Sequence, residues 1–267
     1  MSTSSNRRSR SVTPRRWVAA TAASLAILQP ALIAGFHPTP LHASESGEAG
    51  EAGEAGLPPT DGPAAFLTHL GYFEGTYRII ATAYLAGQRG LAREHLDLSH
   101  HAFYEDIEEE LAANHAPGFE DLAAAFAAKI NADAPDAEVE GAYRALMNAV
   151  TSAAEATGAT AYQQLIALHR LMLLAASEYQ GGVGDGTVEM AIEYRDSWGF
   201  YSSAKARAEH FAAGGDATLA AAAADVLRRM DGLDALYPGL TAQTAAADPS
   251  PLAVAAGWIE IIALRTR

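Results

Sequence analysis

FLTHLGYFEGTYRIIATAY, residues 66–84, repeats large apolar side chains at alternating steps of four and three residues. The side chains that share this spacing are Phe66, Leu70, Phe73, Tyr77, Ile80 and Tyr84. On an α-helix they form one continuous face, which is the pattern of a helix that packs against other helices. Asp61 before Gly62-Pro63 predicts the start of this helix, and the glycines within 87–90 predict its end.

The rest of the chain continues this helical pattern. Two further apolar faces with helical spacing run through 162–179 and 191–208. Alanine-rich segments, whose small side chains allow helices to approach closely, cover about 119 to 130, 137 to 156 and 217 to 236. Because strand-like alternation of branched residues is absent from the sequence, we predict an all-α fold, a helical bundle of six to eight helices.

The first 43 residues predict an export signal. A basic stretch ends at Arg16, an apolar run covers 18–28, and small residues near Ala34 or Ala43 offer cleavage sites. The pair Arg15-Arg16 resembles a twin-arginine signal, so both this route and general secretion stay open. An uncleaved membrane anchor is the alternative, and only in that case do we expect membrane contact. We therefore predict a periplasmic or secreted protein.

A linker and one folded region follow the predicted signal. Residues 44–60 contain a triple Gly-Glu-Ala repeat, and glycine at every third position leaves no apolar face. This composition predicts a flexible acidic linker. The remaining residues, 61–267, are long enough to form a single helical domain.

Charge and cysteine content exclude several classes of function. Five of the 18 basic residues and no acid lie in residues 1–43, so the rest carries 13 basic against 32 acidic residues. Its net charge of -19 repels nucleic acid and favours cations or basic partners. Since the chain has no cysteine, disulfides, iron-sulfur clusters and thiolate metal sites are excluded.

EHLDLSHHAFYEDIEEEL, residues 94–111, concentrates three histidines and seven acids. If 94–110 is a single helix, Asp97, His101 and Glu105 stack at steps of four residues, within reach of one cation. His95 and His100 lie beside that row. The alternative is an ordinary solvated face, because a run such as EDIEEEL is usually exposed.

Other acids and histidines extend the candidate metal site. His69 and Glu74 flank the first apolar face, and Glu193 heads an apolar row that predicts its partial burial. A buried carboxylate requires a cation or a hydrogen-bond donor, and the alternative donor is an arginine such as Arg195 or a tyrosine hydroxyl. Imidazole and carboxylate ligands suit iron, copper or zinc. The full set of candidate metal ligands is His69, Glu74, His95, His100, His101, Glu105 and Glu193.

Two further motifs predict structure rather than chemistry. GGVGDG, residues 181–186, follows a helix and lacks the lysine of a P-loop, so it predicts a turn between helices. His169 falls inside the second apolar face and predicts a hydrogen-bonded core histidine. The sequence has no Gly-x-Ser-x-Gly, His-Glu-x-x-His or EF-hand signature, so we do not expect a hydrolase that uses those devices. Whether the protein is an enzyme stays open, and nothing in the sequence argues for catalysis. An acid–base pair of Glu74 and Glu193 is the enzymatic alternative.

The segment EYQGGVGDGTVEMAIEYRDSWGF, residues 178–200, resembles part of the soluble helical domain fused ahead of some bacterial high-affinity iron permeases. The matching residues are Tyr179, Asp185, Gly186, Val188, Glu193, Tyr194 and Phe200. The resemblance implies a periplasmic helical protein that handles or senses a transition metal for an uptake system. An inner-membrane transporter or another envelope protein is then the expected partner.

A different class of function is also compatible with the sequence. A helical interaction module without catalytic activity would bind a peptide or a partner protein in the cell envelope. Exposed aromatic residues among Tyr72, Tyr104, Trp198 and Tyr201 would support it, because aromatic anchors dominate such interfaces.

Overall fold

The structure is a computed structural model that describes residues 62–99 and 104–267, apart from the side chains of Glu105 and Asp106. All of these residues belong to one compact unit, Ser46–Arg267. The helices in this part of the chain are α1 (Pro63–Leu85), α2 (Arg89–Leu98), α3 (Glu105–Ala113), α4 (Glu120–Asn131), α5 (Asp136–Ala156), α6 (Ala161–Gly182), α7 (Ala191–Ala212), α8 (Ala217–Met230) and α9 (Ser250–Leu264). A 3-10 turn, Leu233–Leu236, and two short strands, β1 (Val183–Gly184) and β2 (Thr187–Val188), complete the elements described.

The predicted all-α fold is confirmed. The described residues form nine α-helices, against the six to eight expected, partly because residues 89–113 contribute two short helices. α2 ends at Leu98, where Ser99 adopts an extended backbone with φ -77° and ψ 121°. The hydroxyl of Ser99 is buried and lies 3.3 Å from that of Thr76 on α1, which holds Ser99 outside the helix. A single helix over 94–110 is therefore wrong.

α1 lies at the centre of the fold. All six residues of its predicted apolar face are buried, and so are residues on its other sides, such as Tyr72, Ile79 and Ala83. α1 packs against α2, α5, α6 and α7, so it contributes to both apolar cores. Its backbone comes close to that of α7 where Gly75 meets Gly199.

The two apolar cores follow the order of the chain. One contains residues of α1 to α5, including Phe73, Phe126 and Leu146. The other lies among α6, α7, α8 and α9, where Leu171, Phe200 and Ile259 are fully buried. The capping box of Thr160 and Gln163 begins α6, and Asp216 accepts hydrogen bonds from the first turn of α8. The second half of the chain is thus a four-helix arrangement, whose core also includes Tyr72 of α1.

The glycine-rich loop after α6 forms a turn between helices, as predicted. β1 and β2 pair as an antiparallel hairpin whose two turn residues, Asp185 and Gly186, have φ of 50° and 83°. Asp-Gly is a strong signal for a two-residue hairpin turn because both positions need a positive φ. The backbone of 243–245 extends the hairpin, since Val188 N–H donates to Gln243 O at 3.0 Å.

Several predictions fall on residues 1–61, which are outside the described residues. They include the signal peptide, the acidic linker and the cap Asp61. Among residues 62–99 and 104–267, none of the helices has both the length and the apolar composition needed to cross a bilayer.

Candidate functional site

His69 of α1 pairs with an acid of α3 rather than with Glu74. Its Nδ1 lies 2.6 Å from Glu110 Oε1, and both side chains are partly exposed. The glutamates of EDIEEEL therefore differ in their surroundings. Glu108 and Glu109 are exposed, whereas Glu110 is partly buried and contacts His69. Glu110 is not among the predicted ligands, because its position depends on how α3 packs against α1.

Glu74, also on α1, is buried between two arginines. Arg78 Nη2 and Arg207 Nε each donate a hydrogen bond of 2.8 Å, one to each carboxylate oxygen. Burial alone would raise the pKa of Glu74, but the charges and hydrogen bonds of Arg207 and Arg78 outweigh it and lower the pKa below the usual range. Glu74 is thus ionised and held in ion pairs with arginines from α1 and α7.

His95 at the end of α2 is fully buried and faces α7. Its Nε2 lies 3.2 Å from Oδ1 of Asp196, a second buried side chain. Despite this distance, neither ring nitrogen of His95 nor Asp196 Oδ1 has a partner with hydrogen-bonding geometry. Two polar atoms without a hydrogen bond, His95 Nε2 and Asp196 Oδ1, therefore meet at one buried contact between α2 and α7.

Glu193 lies one helical turn before Asp196 on α7 and is buried, as predicted. Burial raises its pKa, and the negative charge of Asp196 raises it further. A side chain at Gly181 would collide with Glu193 Oε2, which explains why glycine suits that position of α6. Arg195, the predicted alternative partner, donates instead to Leu240 O at 3.1 Å.

The candidate ligands thus fall in separate places in the described part of the chain. His69 and Glu74 each have a different partner, while His95 contacts α7 close in sequence to Glu193. His100, His101 and the Glu105 side chain lie outside the described residues. Across 62–99 and 104–267, no group of three or more His, Asp or Glu side chains is gathered closely enough to hold a metal ion.

His169 confirms the prediction of a structural histidine. Its Nδ1 lies 2.9 Å from the carbonyl oxygen of Ala256 on α9. The contact joins α6 to α9, and the ring is partly buried. It therefore stabilises the packing of two helices of the second core.

The segment 178–200 connects these elements to known proteins. It supplies the end of α6, the hairpin and the first half of α7, which carries Glu193 and Asp196. Residues 159–262 match the iron permease-associated 4-helix bundle domain. This match confirms the resemblance drawn from the sequence, and its range spans the four helices α6 to α9. No curated protein and no solved structure matches the chain.

Two tyrosines of the matching segment have structural roles. The hydroxyl of Tyr179 donates to Ala246 O at 2.8 Å and also lies 3.1 Å from Leu236 O, so it ties α6 to the chain between α8 and α9. Tyr194 packs beside it, with ring centroids 6.1 Å apart. Burial raises the pKa of Tyr179 to about 12, so its hydroxyl stays protonated and able to donate. These tyrosines hold the bundle that presents Glu193 and Asp196.

Proposed function

We propose that the protein is a periplasmic helical component of iron uptake. It binds a transition metal ion between α2 and α7, at His95 and Asp196. The observation that carries the proposal is the buried contact between His95 and Asp196. The match of residues 159–262 to an iron permease-associated domain supports a role beside a transporter. The acidic composition supports it as well, because negative charge raises the local concentration of cations.

The distance between the two side chains suits two ligands of one metal ion. Metal–nitrogen and metal–oxygen bonds of about 2.0–2.2 Å place adjacent ligand atoms about 3–3.5 Å apart. His95 Nε2 and Asp196 Oδ1 lie 3.2 Å apart. A metal ion would also satisfy two atoms that lack hydrogen bonds, which otherwise cost about 1–3 kcal/mol each when buried.

Further ligands would come from residues near this contact in the sequence. Glu193 lies one turn away on the same helix, and His100 and His101 follow α2 directly in the sequence. The two histidines are outside the described residues, and we predict that they complete the site. The donors are imidazole and carboxylate, which suit iron, copper or zinc. Binding should weaken in acid, because imidazole binds metal only in its neutral form.

Metal content of the full chain, exported and purified without a histidine tag, tests the proposal. We expect stoichiometric iron, copper or zinc in the wild type and loss of that metal in Asp196→Asn. The matched control is His210→Gln, since His210 is an exposed histidine whose nearest acid, Glu155, is 3.6 Å away. A metal-free protein whose melting temperature does not respond to added iron, copper or zinc would contradict the proposal. Sequencing the N-terminus of the exported protein tests the predicted cleavage near Ala34 or Ala43.

An exposed apolar face on α9 favours a second function, that of an interaction module. The predicted anchors do not support it, because Tyr72 and Tyr201 are buried, whereas Tyr104 and Trp198 are half-buried. These rings pack in the interior, where they contact the two cores. The large apolar side chains exposed along α9 are Val254, Trp258, Ile261 and Leu264.

Such a face suits a helix of an envelope protein such as a transporter. Co-purification of the full chain with an iron permease of the same organism tests this second function. We expect Trp258→Arg to abolish the association and Leu98→Arg, at an exposed apolar residue on α2, to preserve it. Equal association in both variants would exclude the α9 face as the contact.

A further inference from the structure

A cavity of about 550 Å³ opens among α1, α5, α6, α7 and α8, away from the His95–Asp196 contact. Its volume lies within the range of about 300–1,000 Å³ that small-molecule sites occupy. Much of its lining is apolar, with Leu67, Val150, Ala154, Phe211 and Leu219 among the side chains. The apolar lining would favour a ligand with a hydrocarbon part.

The charged wall of this cavity is the group of Glu74, Arg78 and Arg207. The two arginines face one carboxylate, so the group carries a net charge of about +1. Both oxygens of Glu74 already accept hydrogen bonds from the arginines, and Arg207 Nη1 donates to Leu67 O at 2.5 Å. The remaining guanidinium donors thus exceed the acceptors that this carboxylate supplies.

Three buried polar atoms of this region have no hydrogen-bond partner in the described part of the protein. They are Arg78 Nε, Arg207 Nη2 and the hydroxyl oxygen of Tyr143. Tyr143 lies close enough to Arg78 and Glu74 to interact with their charges. These three atoms have almost no accessible surface, and Tyr143 does not line the cavity. The arginine side chains keep 26% (Arg78) and 11% (Arg207) of their surface exposed, and a ligand in the cavity would contact these exposed parts.

The other charged groups of the lining already have partners. His210 Nε2 lies 3.6 Å from Glu155 Oε1, and both side chains are exposed. Asp216 accepts hydrogen bonds from the N–H groups of Thr218 and Leu219 as the N-cap of α8. The positive charge of the lining is therefore confined to the arginine pair, while the acids Glu155 and Asp216 belong to other parts of the wall.

We infer that this cavity binds a small organic carboxylate, with the carboxylate at Arg78 and Arg207 and its apolar part against the helices. A carboxylate offers several acceptor lone pairs and pairs strongly with guanidinium groups. A free metal cation would be repelled by the two arginines. The apolar walls distinguish this ligand from inorganic phosphate, which has no hydrocarbon part to bury. The site is separate from the proposed metal ligands and adds a second ligand class to the protein.

Binding of hexanoate to the full chain, measured by calorimetry and by the NMR signal of Arg78 Nε–H, tests the inference. Hexanol, hexylammonium and inorganic phosphate serve as probes of the neutral, cationic and purely anionic alternatives. We expect hexanoate to bind and to shift the Arg78 signal, and each other probe to bind at least about tenfold more weakly.

Two pairs of variants separate the site from general effects. Arg78→Gln should weaken hexanoate binding about tenfold, whereas Arg144→Gln, which alters an exposed pair with Glu140 at the same spacing, should not. Ala154→Leu keeps every charge and fills the cavity, so it should also reduce binding, while Ala125→Leu on the exposed side of α4 should not. Ala154→Leu decides the test if Arg78→Gln fails to fold.

Any of three results would overturn the inference. The first is no hexanoate binding, and the second is equal binding of hexanol or phosphate. The third is undiminished hexanoate binding in Ala154→Leu. Each of them would show that the cavity does not recognise a carboxylate with an apolar part.

Discussion

Replacing Gly75 with alanine should destabilise the protein by about 1–2 kcal/mol, although alanine is the better helix former. At this position α1 crosses α7 with almost no space between the backbones. A Cβ at residue 75 would lie 2.9 Å from the carbonyl carbon of Gly199, 3.0 Å from its oxygen and 3.1 Å from Phe200 Cδ1. Two of these atoms are backbone, so the helices themselves would have to separate.

The magnitude follows from two opposing effects. Overpacking a tight contact costs about 1–3 kcal/mol, and a backbone obstacle favours the upper half of that range. Alanine recovers about 1 kcal/mol of helix propensity relative to glycine. Gly141 on α5 is the matched control, because a Cβ there would meet nothing within 4 Å. Gly141→Ala should therefore stabilise the protein by about 1 kcal/mol, a difference of about 2–3 kcal/mol between the variants.

Urea denaturation of both variants and the wild type measures this difference. The midpoint should fall for Gly75→Ala and rise for Gly141→Ala with an unchanged slope. In a protein of this size, each kcal/mol also shifts the melting temperature by about 2–4 °C. If Gly75→Ala were as stable as the wild type, the close contact between α1 and α7 would be refuted.

Three further predictions concern buried carboxylates and a helix cap. Glu74→Gln should lower the free energy of unfolding by about 3–5 kcal/mol at pH 7, because it leaves two buried guanidinium groups without their counter-charge. The control Glu140→Gln, in an exposed pair, should change it by less than about 1 kcal/mol. The pKa of Glu74 is lowered in the folded protein, so its contribution to stability should be complete above the usual glutamate range and fade as the pH falls. Urea curves between pH 3 and 7 measure this, and a cost of Glu74→Gln that stayed the same at every pH would contradict it. Glu193→Gln should raise the melting temperature of the metal-free protein at pH 7, because burial and the neighbouring carboxylate raise the pKa of Glu193 and make its ionised form destabilising. The gain should vanish in acid, where Glu193 is protonated. A lower melting temperature of the variant at pH 7 would contradict this prediction. Thr160→Ala removes the capping box of α6 and should lower the free energy of unfolding, measured by urea denaturation, by about 1 kcal/mol. The control Thr151→Ala should lower it little, because the Thr151 hydroxyl donates to a carbonyl of its own helix at an exposed position.

The sequence predicts the helices well because their apolar faces repeat with helical spacing. The face from Phe66 to Tyr84 coincides with α1, and Gly87, with φ 78°, follows its end. The break at Ser99 was not predictable from spacing, since it depends on a hydrogen bond to Thr76 on another helix. The pair Asp185-Gly186 is a local signal for a two-residue hairpin turn. Because helical patterns lie on both sides of it, the sequence predicts only a turn between helices there.

The candidate site was harder to predict because its partners lie on different helices. Spacing along α2 placed His95 beside the row of candidate ligands, but only the packing of α2 against α7 brings it to Asp196. The same limit applies to Glu74, whose environment depends on Arg207, 133 residues away in the chain. Asp196 could have been chosen from the sequence, because it follows Glu193 by three residues and so shares its side of α7.

The position of α1 in both cores has a consequence for shortened forms of the protein. The region that matches the iron permease-associated domain, 159–262, contains α6 to α9 but not α1. A fragment limited to that region would leave Gly199 and Phe200 of α7, and Leu171 of α6, without the helix that covers them. Such a fragment would expose apolar surface and self-associate. In the intact chain, α1 therefore acts as a built-in partner that covers this apolar surface.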